Sequence, residues 1–421
     1  LSLLLVCFTR FAYYSDGSRN GYNATSWDAF GYYLYLPGLF IYGDVDKLAW
    51  VEKVDSTYHV TGGYYYQATA LENGNRVCKY LGGVALMELP FFGIAHIAAG
   101  LSGYPQDGFS APYQYAVLWA AIFWFFIGLL YLRKVLLLYY SEQVTAITLL
   151  LVLAATNLLQ YVAVSGSMSH AFIFPLYAMI LFYSARWSRE PRFWYAALIG
   201  IILGLATLSR PTELIMLFIP FFWLVPENPS FKAKWNFLLR HKMHLVFAAF
   251  GFALTILPQL VYWKFVTGSW VYDVGSKWYF LNPWWRVLFG FEKGWFIYTP
   301  ITILFIVGLF CLKAKPFRLA VIVFALLNIW IVISWHEWQY GASYSTRALT
   351  QSYPVFALAF AAVLERIADI RLRWISGIVF AYLLLVNLVQ IWQYNKTILH
   401  YSDMNARYYR AVYLNLNPDP L

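Results

Sequence analysis

Long apolar runs recur along the chain from residue 113 to residue 395, and they constrain the fold more than any other feature. Each is close to the ~20 helical residues that cross the ~30 Å hydrocarbon core of a bilayer. Only 12% of the residues are charged, whereas soluble domains carry roughly a quarter. We therefore predict an all-α polytopic membrane protein with about 11 transmembrane helices, at residues 1–9, 113–132, 143–163, 168–185, 193–208, 211–225, 244–264, 298–312, 318–335, 350–365 and 374–394.

Basic residues gather in five short loops between these runs, at Arg133, Lys134, Arg186, Arg189, Arg192, Lys232, Lys234, Arg240, Lys242, Lys313, Lys315, Arg318, Arg366, Arg371 and Arg373. Short loops rich in Lys and Arg remain in the cytoplasm. The alternating segments are then external, at residues 10–112, 164–167, 209–210, 265–297, 336–349 and after 395. This clustering accounts for the net charge of +10. No basic stretch is long enough to follow a nucleic acid backbone, so we expect no nucleic acid partner.

The predicted organisation is one membrane unit with two large external loops that contain juxtamembrane helices. It has an N-terminal transmembrane module at 1–264, a second external loop at 265–297, C-terminal transmembrane helices at 298–395 and an external tail at 396–421. The module includes the first external loop, 9–112, and residues 1–8 are interpreted as the end of a first transmembrane helix.

An apolar stretch at residues 84–101 could be counted as one more crossing. That count would put Arg133 and Lys134 outside, against the charge rule. We therefore interpret the stretch as a re-entrant or in-plane helix. The alternative is a true crossing with reversed topology downstream.

The first external loop contains an acid followed by aromatic residues, Asp28 and then Tyr32 and Tyr33. A carboxylate beside aromatic rings at a membrane surface is partly desolvated, which raises its basicity and suits a general base. The alternative is that Asp28 caps a helix N-terminus. Further along, Asp44 and Asp46 could share a divalent cation, but a solvated turn after Gly43 is the favoured interpretation.

Four basic residues on the external side could bind phosphate oxygens. Lys79 precedes the apolar stretch, where it either extends toward lipid phosphates or binds a lipid-linked substrate. Arg210 lies between two apolar runs, before a helix-breaking proline, and an arginine at that depth usually faces a polar cavity. Lys293 precedes a glycine that allows close approach of a ligand, and Arg347 can hold phosphate oxygens through two hydrogen bonds.

Other polar and aromatic residues on this side are candidate pocket residues. They are His170 at a helix entry, the His336–Glu337 pair and Tyr344. A lone histidine is more often a hydrogen-bonded structural residue, and the pair could simply be an interfacial ion pair. Aromatic rings beside polar groups also suit the apolar faces of sugars. Cations that stabilise a departing phosphate, together with an aspartate that takes a proton, would suit transfer from a lipid phosphate.

The chain resembles the GT-C superfamily of membrane glycosyltransferases, in particular the protein O-mannosyltransferase and aminoarabinose transferase group. The resemblance covers essentially the whole chain. It rests on the segments Ser-Trp-Asp-Ala-Phe-Gly-Tyr-Tyr at 26–33, Lys-Tyr-Leu at 79–81, Leu-Ser-Arg-Pro-Thr at 208–212, Glu-Lys-Gly-Trp-Phe at 292–296 and Tyr-Gly-Ala-Ser-Tyr-Ser-Thr-Arg at 340–347. It implies a polyprenyl-phosphate sugar donor, Asp28 as the catalytic base and a seven-helix module with two external loops. The mannosyltransferase-like group generally needs no metal.

The leading hypothesis is therefore an inverting glycosyltransferase. It would act on a lipid, glycan or protein acceptor at the periplasmic face of a bacterial inner membrane, without a cofactor. One alternative is a lipid or glycan transporter or flippase, although transporters usually place polar residues near mid-membrane in repeated halves. Another is a non-catalytic membrane subunit of a larger complex.

Overall fold

Backbone polar groups in lipid must be satisfied within the chain, so an apolar sequence of this kind is expected to form helices. The computed structural model describes residues 1–14, 24–368 and 373–417 and is mostly helical over them. The helices of the first half are α1 (Ser2–Tyr14), α2 (Asp28–Tyr33), α3 (Tyr35–Pro37), α4 (Val51–Tyr58), α5 (Gly83–Leu101), α6 (Ala111–Leu137), α7 (Glu142–Ala154), α8 (Ser169–Arg189) and α9 (Phe193–Ser209). The all-α polytopic prediction is confirmed.

The second half continues the helical pattern. Its helices are α10 (Phe218–Phe222), α11 (Phe231–Arg240), α12 (Lys242–Thr267), α13 (Arg286–Phe289), α14 (Trp295–Tyr298), α15 (Ile303–Cys311), α16 (Arg318–Ser334), α17 (Tyr353–Ala368), α18 (Arg373–Asn395) and α19 (Ala406–Val412). Five short helical segments are π- or 3₁₀-helical, at Gly38–Tyr42, Gln160–Val164, Pro211–Leu217, Pro300–Thr302 and Arg347–Ser352. Two strands, β1 (Ala68–Ala70) and β2 (Arg76–Cys78), form an antiparallel hairpin.

Several predicted crossings are longer or more broken than the apolar runs suggest. Within the described residues, five helices are long and apolar enough to cross a membrane, at Gly83–Leu101, Ala111–Leu137, Lys242–Thr267, Arg347–Ala368 and Trp374–Asn395. The run at 143–163 is divided, because α7 ends at Ala154 and helix resumes at residue 160. Asn387 of α18 donates hydrogen bonds of 2.8 Å to the carbonyls of Ala154 and Thr156. This side chain satisfies carbonyls that the helix end leaves free.

The stretch at 84–101 forms α5, one uninterrupted helix packed against α6. Its length and apolar composition are also sufficient for a membrane crossing. The interpretation as a re-entrant or in-plane helix stays a prediction.

Buried helices hold the external segments in place. α17 is almost wholly buried and forms the centre of the bundle, packed against α15, α7 and α8. α9 and α12 pack along their length, with small residues such as Gly200 and Gly251 where the backbones meet, as is common between membrane helices. A second apolar cluster, which includes Phe30, Trp50 and Phe109, joins the first external loop to α5 and α6. Packing in this cluster holds α2 against the rest of the first loop, α5 and α6.

Candidate active site

Asp28 is the first residue of α2, and both oxygens of its carboxylate accept hydrogen bonds from side chains. Oδ1 accepts hydrogen bonds from the hydroxyls of Tyr66 at 2.7 Å and Tyr80 at 2.6 Å. Oδ2 accepts one from Nη2 of Arg347 at 3.0 Å, which is also an ion pair. The helix cap is Trp27, so the alternative that Asp28 caps α2 is wrong.

The β1–β2 hairpin brings the two tyrosines together. Its register pairs Ala68 with Cys78, and the amide of Lys79 donates to the carbonyl of Gln67 at 2.9 Å. Residues 66 and 80 therefore lie opposite one another at the open end of the hairpin. Sequence reasoning missed both, although the Asn-Gly pair at 73–74 is a recognised hairpin turn signal that would have aligned them.

A close approach between α2 and Tyr80 completes this arrangement. A Cβ added to Gly31 would lie 2.1 Å from Cδ2 of Tyr80, so only glycine lets the ring pack there. The Tyr80 ring also packs edge-on against Tyr32, with centroids 4.7 Å apart. Gly31 thereby allows the Tyr80 hydroxyl to reach Asp28, which lies three residues before Gly31 on α2.

Arg347 enters the site from the start of the helical segment that leads into α17. The hydroxyl of the preceding residue, Thr346, lies within hydrogen-bond distance of the carbonyls of Val287 at 2.7 Å and Lys293 at 3.0 Å and donates to one of them at a time. The ammonium of Lys293, which is only 5% exposed, donates to the carbonyls of Gln339 at 2.9 Å and of Gly341. A Cβ at Gly341 would lie 3.4 Å from Nη2 of Arg347. Lys293 therefore anchors the turn that packs beside Arg347.

The charge state of Asp28 differs from the expectation. Burial raises the pKa of the Asp28 carboxyl, but the guanidinium of Arg347 and the hydrogen bonds from Tyr80, Tyr66 and Arg347 outweigh it, and the pKa lies below its ordinary value. The prediction that desolvation makes Asp28 more basic is therefore wrong for this arrangement. The carboxylate is ionised at neutral pH and held beside a cation.

Arg210 contributes a second positive charge near Tyr32. Its backbone is extended after α9 and before Pro211, as the helix-breaking proline predicts. Gly83 at the start of α5 meets this end of α9, because an added Cβ would lie 2.4 Å from the amide of Ser209. The charges of Arg210 and Arg347 both act on Tyr32 and on His170. Both guanidinium groups and the Asp28 carboxylate are therefore close enough to Tyr32 for their charges to act on it.

A buried polar chain lies beneath the two arginines. His170 is hydrogen-bonded through Nδ1 to Oε1 of Gln351 at 2.7 Å, and Nε2 of Gln351 donates to Glu213 at 3.0 Å. Glu213 also accepts from the hydroxyl of Tyr177. All four side chains are buried. His170 is therefore a hydrogen-bonded structural residue, and Gln351 and Tyr177 are members that sequence reasoning missed.

Other predicted pocket residues have different surroundings. The hydroxyl of Tyr33 donates to the carbonyl of Gly108 at 2.6 Å inside the second apolar cluster. Tyr344 is buried, and its hydroxyl lies within hydrogen-bond distance of the carbonyl of Tyr298 and of two side chains of α18. His336 lies 3.6 Å from Glu337 and contacts Lys277 of the second loop. This is the interfacial pair that was the simpler alternative.

Lys79 and the Asp44–Asp46 pair lie in the first loop without forming the contacts expected of ligands. The Lys79 side chain is exposed, although its neighbour Tyr80 contacts Asp28. The oxygens of Asp44 accept three backbone hydrogen bonds, from residues 47, 48 and 49, at 2.8–2.9 Å. Asp44 therefore closes the turn after Gly43. Among the described residues, no group of three or more His, Cys, Asp or Glu side chains could hold a metal ion.

The chain is similar to a solved membrane enzyme. No protein-family model matches the chain, and a search of curated protein sequences finds no match. The archaeal oligosaccharyltransferase AglB from Archaeoglobus fulgidus, solved with an inhibitory peptide and a dolichol-phosphate, aligns with a TM-score of 0.51 at 11% identity. The alignment covers 100% of this chain and 59% of AglB. At this identity the likeness concerns the fold alone, and the chain shares the helical fold of the aligned part of AglB.

Proposed function

We propose that the chain is a membrane glycosyltransferase that uses a polyprenyl-phosphate sugar donor, with Asp28 as the general base. The observation that carries the proposal is the Asp28–Arg347 ion pair, with Arg210 in the same neighbourhood. A carboxylate and two guanidinium groups supply what such a transfer needs, a proton acceptor and cations for the departing phosphate. The fold supports the proposal, because AglB was solved with a dolichol-phosphate.

The proposed reaction is a single displacement with inversion. The oxygen of an acceptor hydroxyl attacks the anomeric carbon of the sugar, and its proton passes to Oδ2 of Asp28. The bond between that carbon and the phosphate oxygen breaks, and polyprenyl phosphate departs with the electron pair. Arg347 and Arg210 stabilise the negative charge on the phosphate, and Lys293 positions the turn beside Arg347. No metal or cofactor takes part.

The acceptor is proposed to be a hydroxyl on a lipid, glycan or protein on the external side, at the periplasmic face of a bacterial inner membrane. The external segments predicted above, 10–112, 209–210, 265–297 and 336–349, contain Asp28, Arg210, Lys293 and Arg347. Lys79 is proposed to attract the donor phosphate from its exposed position beside Tyr80, rather than to bind it in the site.

A transfer assay tests the proposal. Membranes enriched in the protein are incubated with radiolabelled polyprenyl-phosphate sugars, and label in acceptor material is measured for the native chain and for Asp28→Asn. We expect transfer by the native chain and a loss of at least about 100-fold in the variant, the scale of general base catalysis. Glu52→Gln is the matched control, because it removes an exposed carboxylate from the same loop and should leave transfer unchanged.

Two results would contradict the proposal. Full transfer by a correctly folded Asp28→Asn protein would exclude the base. Movement of labelled donor across vesicle membranes without any transfer would instead favour the transporter hypothesis. The anomeric configuration of the product, read by NMR, tests inversion separately.

A further inference from the structure

The two oxygens of Asp28 are not equivalent. Oδ1 accepts two hydroxyl hydrogen bonds, from Tyr66 and Tyr80, which uses its ordinary capacity of about two. Oδ2 accepts the single contact from Arg347. Only Oδ2 therefore retains room for the proton of an acceptor. Oδ2 is also the oxygen that the guanidinium of Arg347 contacts.

This contact opposes catalysis while it lasts. Arginine does not lose its proton in proteins, and a carboxylate beside a fixed positive charge is a weaker base. The pair is also poorly exposed, with 22% of the Asp28 side chain and 16% of the Arg347 side chain accessible, so water screens it little. Asp28 can act as a base at Oδ2 only after Arg347 moves away.

An anion that competes for Arg347 would release it. Among the described residues, Asp28 is the only acidic side chain in an ion pair with Arg347. A phosphate monoester or diester is a stronger partner, because guanidinium binds phosphate oxygens through two parallel hydrogen bonds. The hydrogen bonds from Tyr66 and Tyr80 would keep the carboxylate in place during the exchange.

We infer that Arg347 is shared between Asp28 and the lipid donor, so that the donor phosphate draws Arg347 from Oδ2 and the base becomes available only after the donor binds. Tyr66 and Tyr80 are positioning residues that hold the carboxylate through Oδ1. This inference rests on the proposed function and adds an order of binding, donor before acceptor.

If Asp28 and the donor phosphate compete for Arg347, removal of the Asp28 charge should increase the affinity for the phosphate. Binding of farnesyl phosphate to the purified full chain in detergent is measured by calorimetry for the native protein and for Asp28→Asn. The variant should bind at least about fivefold more tightly, the lower end of common coupling energies between sites, because Arg347 no longer has a competing partner. Glu52→Gln, with the same change of charge, should bind as the native protein does.

The outcomes separate this inference from the proposed function. Equal or weaker binding by Asp28→Asn, with clear binding by the native chain, would overturn the shared arginine and leave the transferase proposal standing. Absence of binding by the native chain would overturn both. Size-exclusion profiles establish that the variants are folded.

The tyrosines are tested by pH profiles, which a merely structural role would not shift. Among the described residues, the titratable and charged groups that contact Asp28 are Tyr66, Tyr80 and Arg347, and its charge also acts on Tyr32 and His170. Tyr66→Phe and Tyr80→Phe each remove a hydrogen bond that lowers the pKa of Asp28, so the acidic limb of kcat should move to higher pH. A uniform loss of kcat at every pH, with the limb unmoved, would overturn the positioning role.

Discussion

Nη2 of Arg347 lies 3.0 Å from Oδ2 of Asp28, although 319 residues separate them in the sequence. The contact joins the first external loop to the segment that enters the buried helix α17. It therefore connects the first loop to a deeply buried helix.

Substitution of Gly31 by alanine should damage the site without touching a charged group. The new Cβ would overlap the ring of Tyr80, at 2.1 Å from Cδ2, and the hydroxyl would leave Asp28. We expect a destabilisation of about 1–3 kcal/mol from overpacking and a fall in transfer of up to about 100-fold from misplacement. Thermal unfolding and the transfer assay measure these. Gly93→Ala is the matched control, since nothing lies within 4 Å of its added Cβ.

The stability of the protein should depend on pH through Lys293. Burial and then the charge of Arg347 lower the pKa of the Lys293 ammonium to about 7, against the opposing effect of Asp403. Unfolded lysine has a pKa of about 10.4, so between about pH 7 and pH 10 the unfolded chain binds more protons. Stability must then rise with pH in this window.

The comparison that isolates this effect is with Lys293→Met, which keeps the length of the side chain but does not titrate. The Tm of the native protein minus that of the variant should increase between about pH 7 and about pH 10. A difference that stays constant or falls would show that Lys293 keeps an ordinary pKa in the folded protein.

Gln351 should contribute more to stability than an exposed glutamine. Its amide bridges His170 and Glu213, both buried. Gln351→Leu would leave both without this partner, at about 1–3 kcal/mol for each unsatisfied group. Thermal unfolding in nanodiscs measures the loss. Gln143→Leu, at an exposed position on α7, is the control and should change Tm little.

The proposed function requires the site to face the external side of the membrane, and cysteine labelling tests this orientation. In a background in which Cys7, Cys78 and Cys311, all free thiols, are replaced by alanine, Glu52→Cys should react with an impermeant maleimide added outside. Lys232→Cys, in a loop predicted to be cytoplasmic, should react only after permeabilisation. The opposite pattern would invert the topology on which the periplasmic site depends.

Much of the fold follows from the sequence because apolar length and loop charge are local properties. They predicted the helices, and they predict that Asp28, Arg210 and Arg347 lie on one side of the membrane. They do not report contacts between segments, so the engagement of Asp28 by Tyr66 and Tyr80 was missed. The same limit explains the error about the basicity of Asp28, since its nearest cation comes from a distant segment.

Breaks within apolar runs were also beyond sequence reasoning. The end of α7 at Ala154 depends on Asn387, more than 200 residues later, which satisfies its terminal carbonyls. Hydropathy gives the length of an apolar run but not the partner that permits a helix to end inside the bundle.

The most direct test of the account is a cryo-EM map of the protein with a bound polyprenyl phosphate. The account predicts phosphate density within about 3 Å of the Arg347 guanidinium, the distance of a charge-assisted hydrogen bond. It also predicts that Oδ2 of Asp28 has lost its contact with Arg347 while Tyr66 and Tyr80 still hold Oδ1. Phosphate density away from Arg347, or on the side of the basic loops, would contradict it.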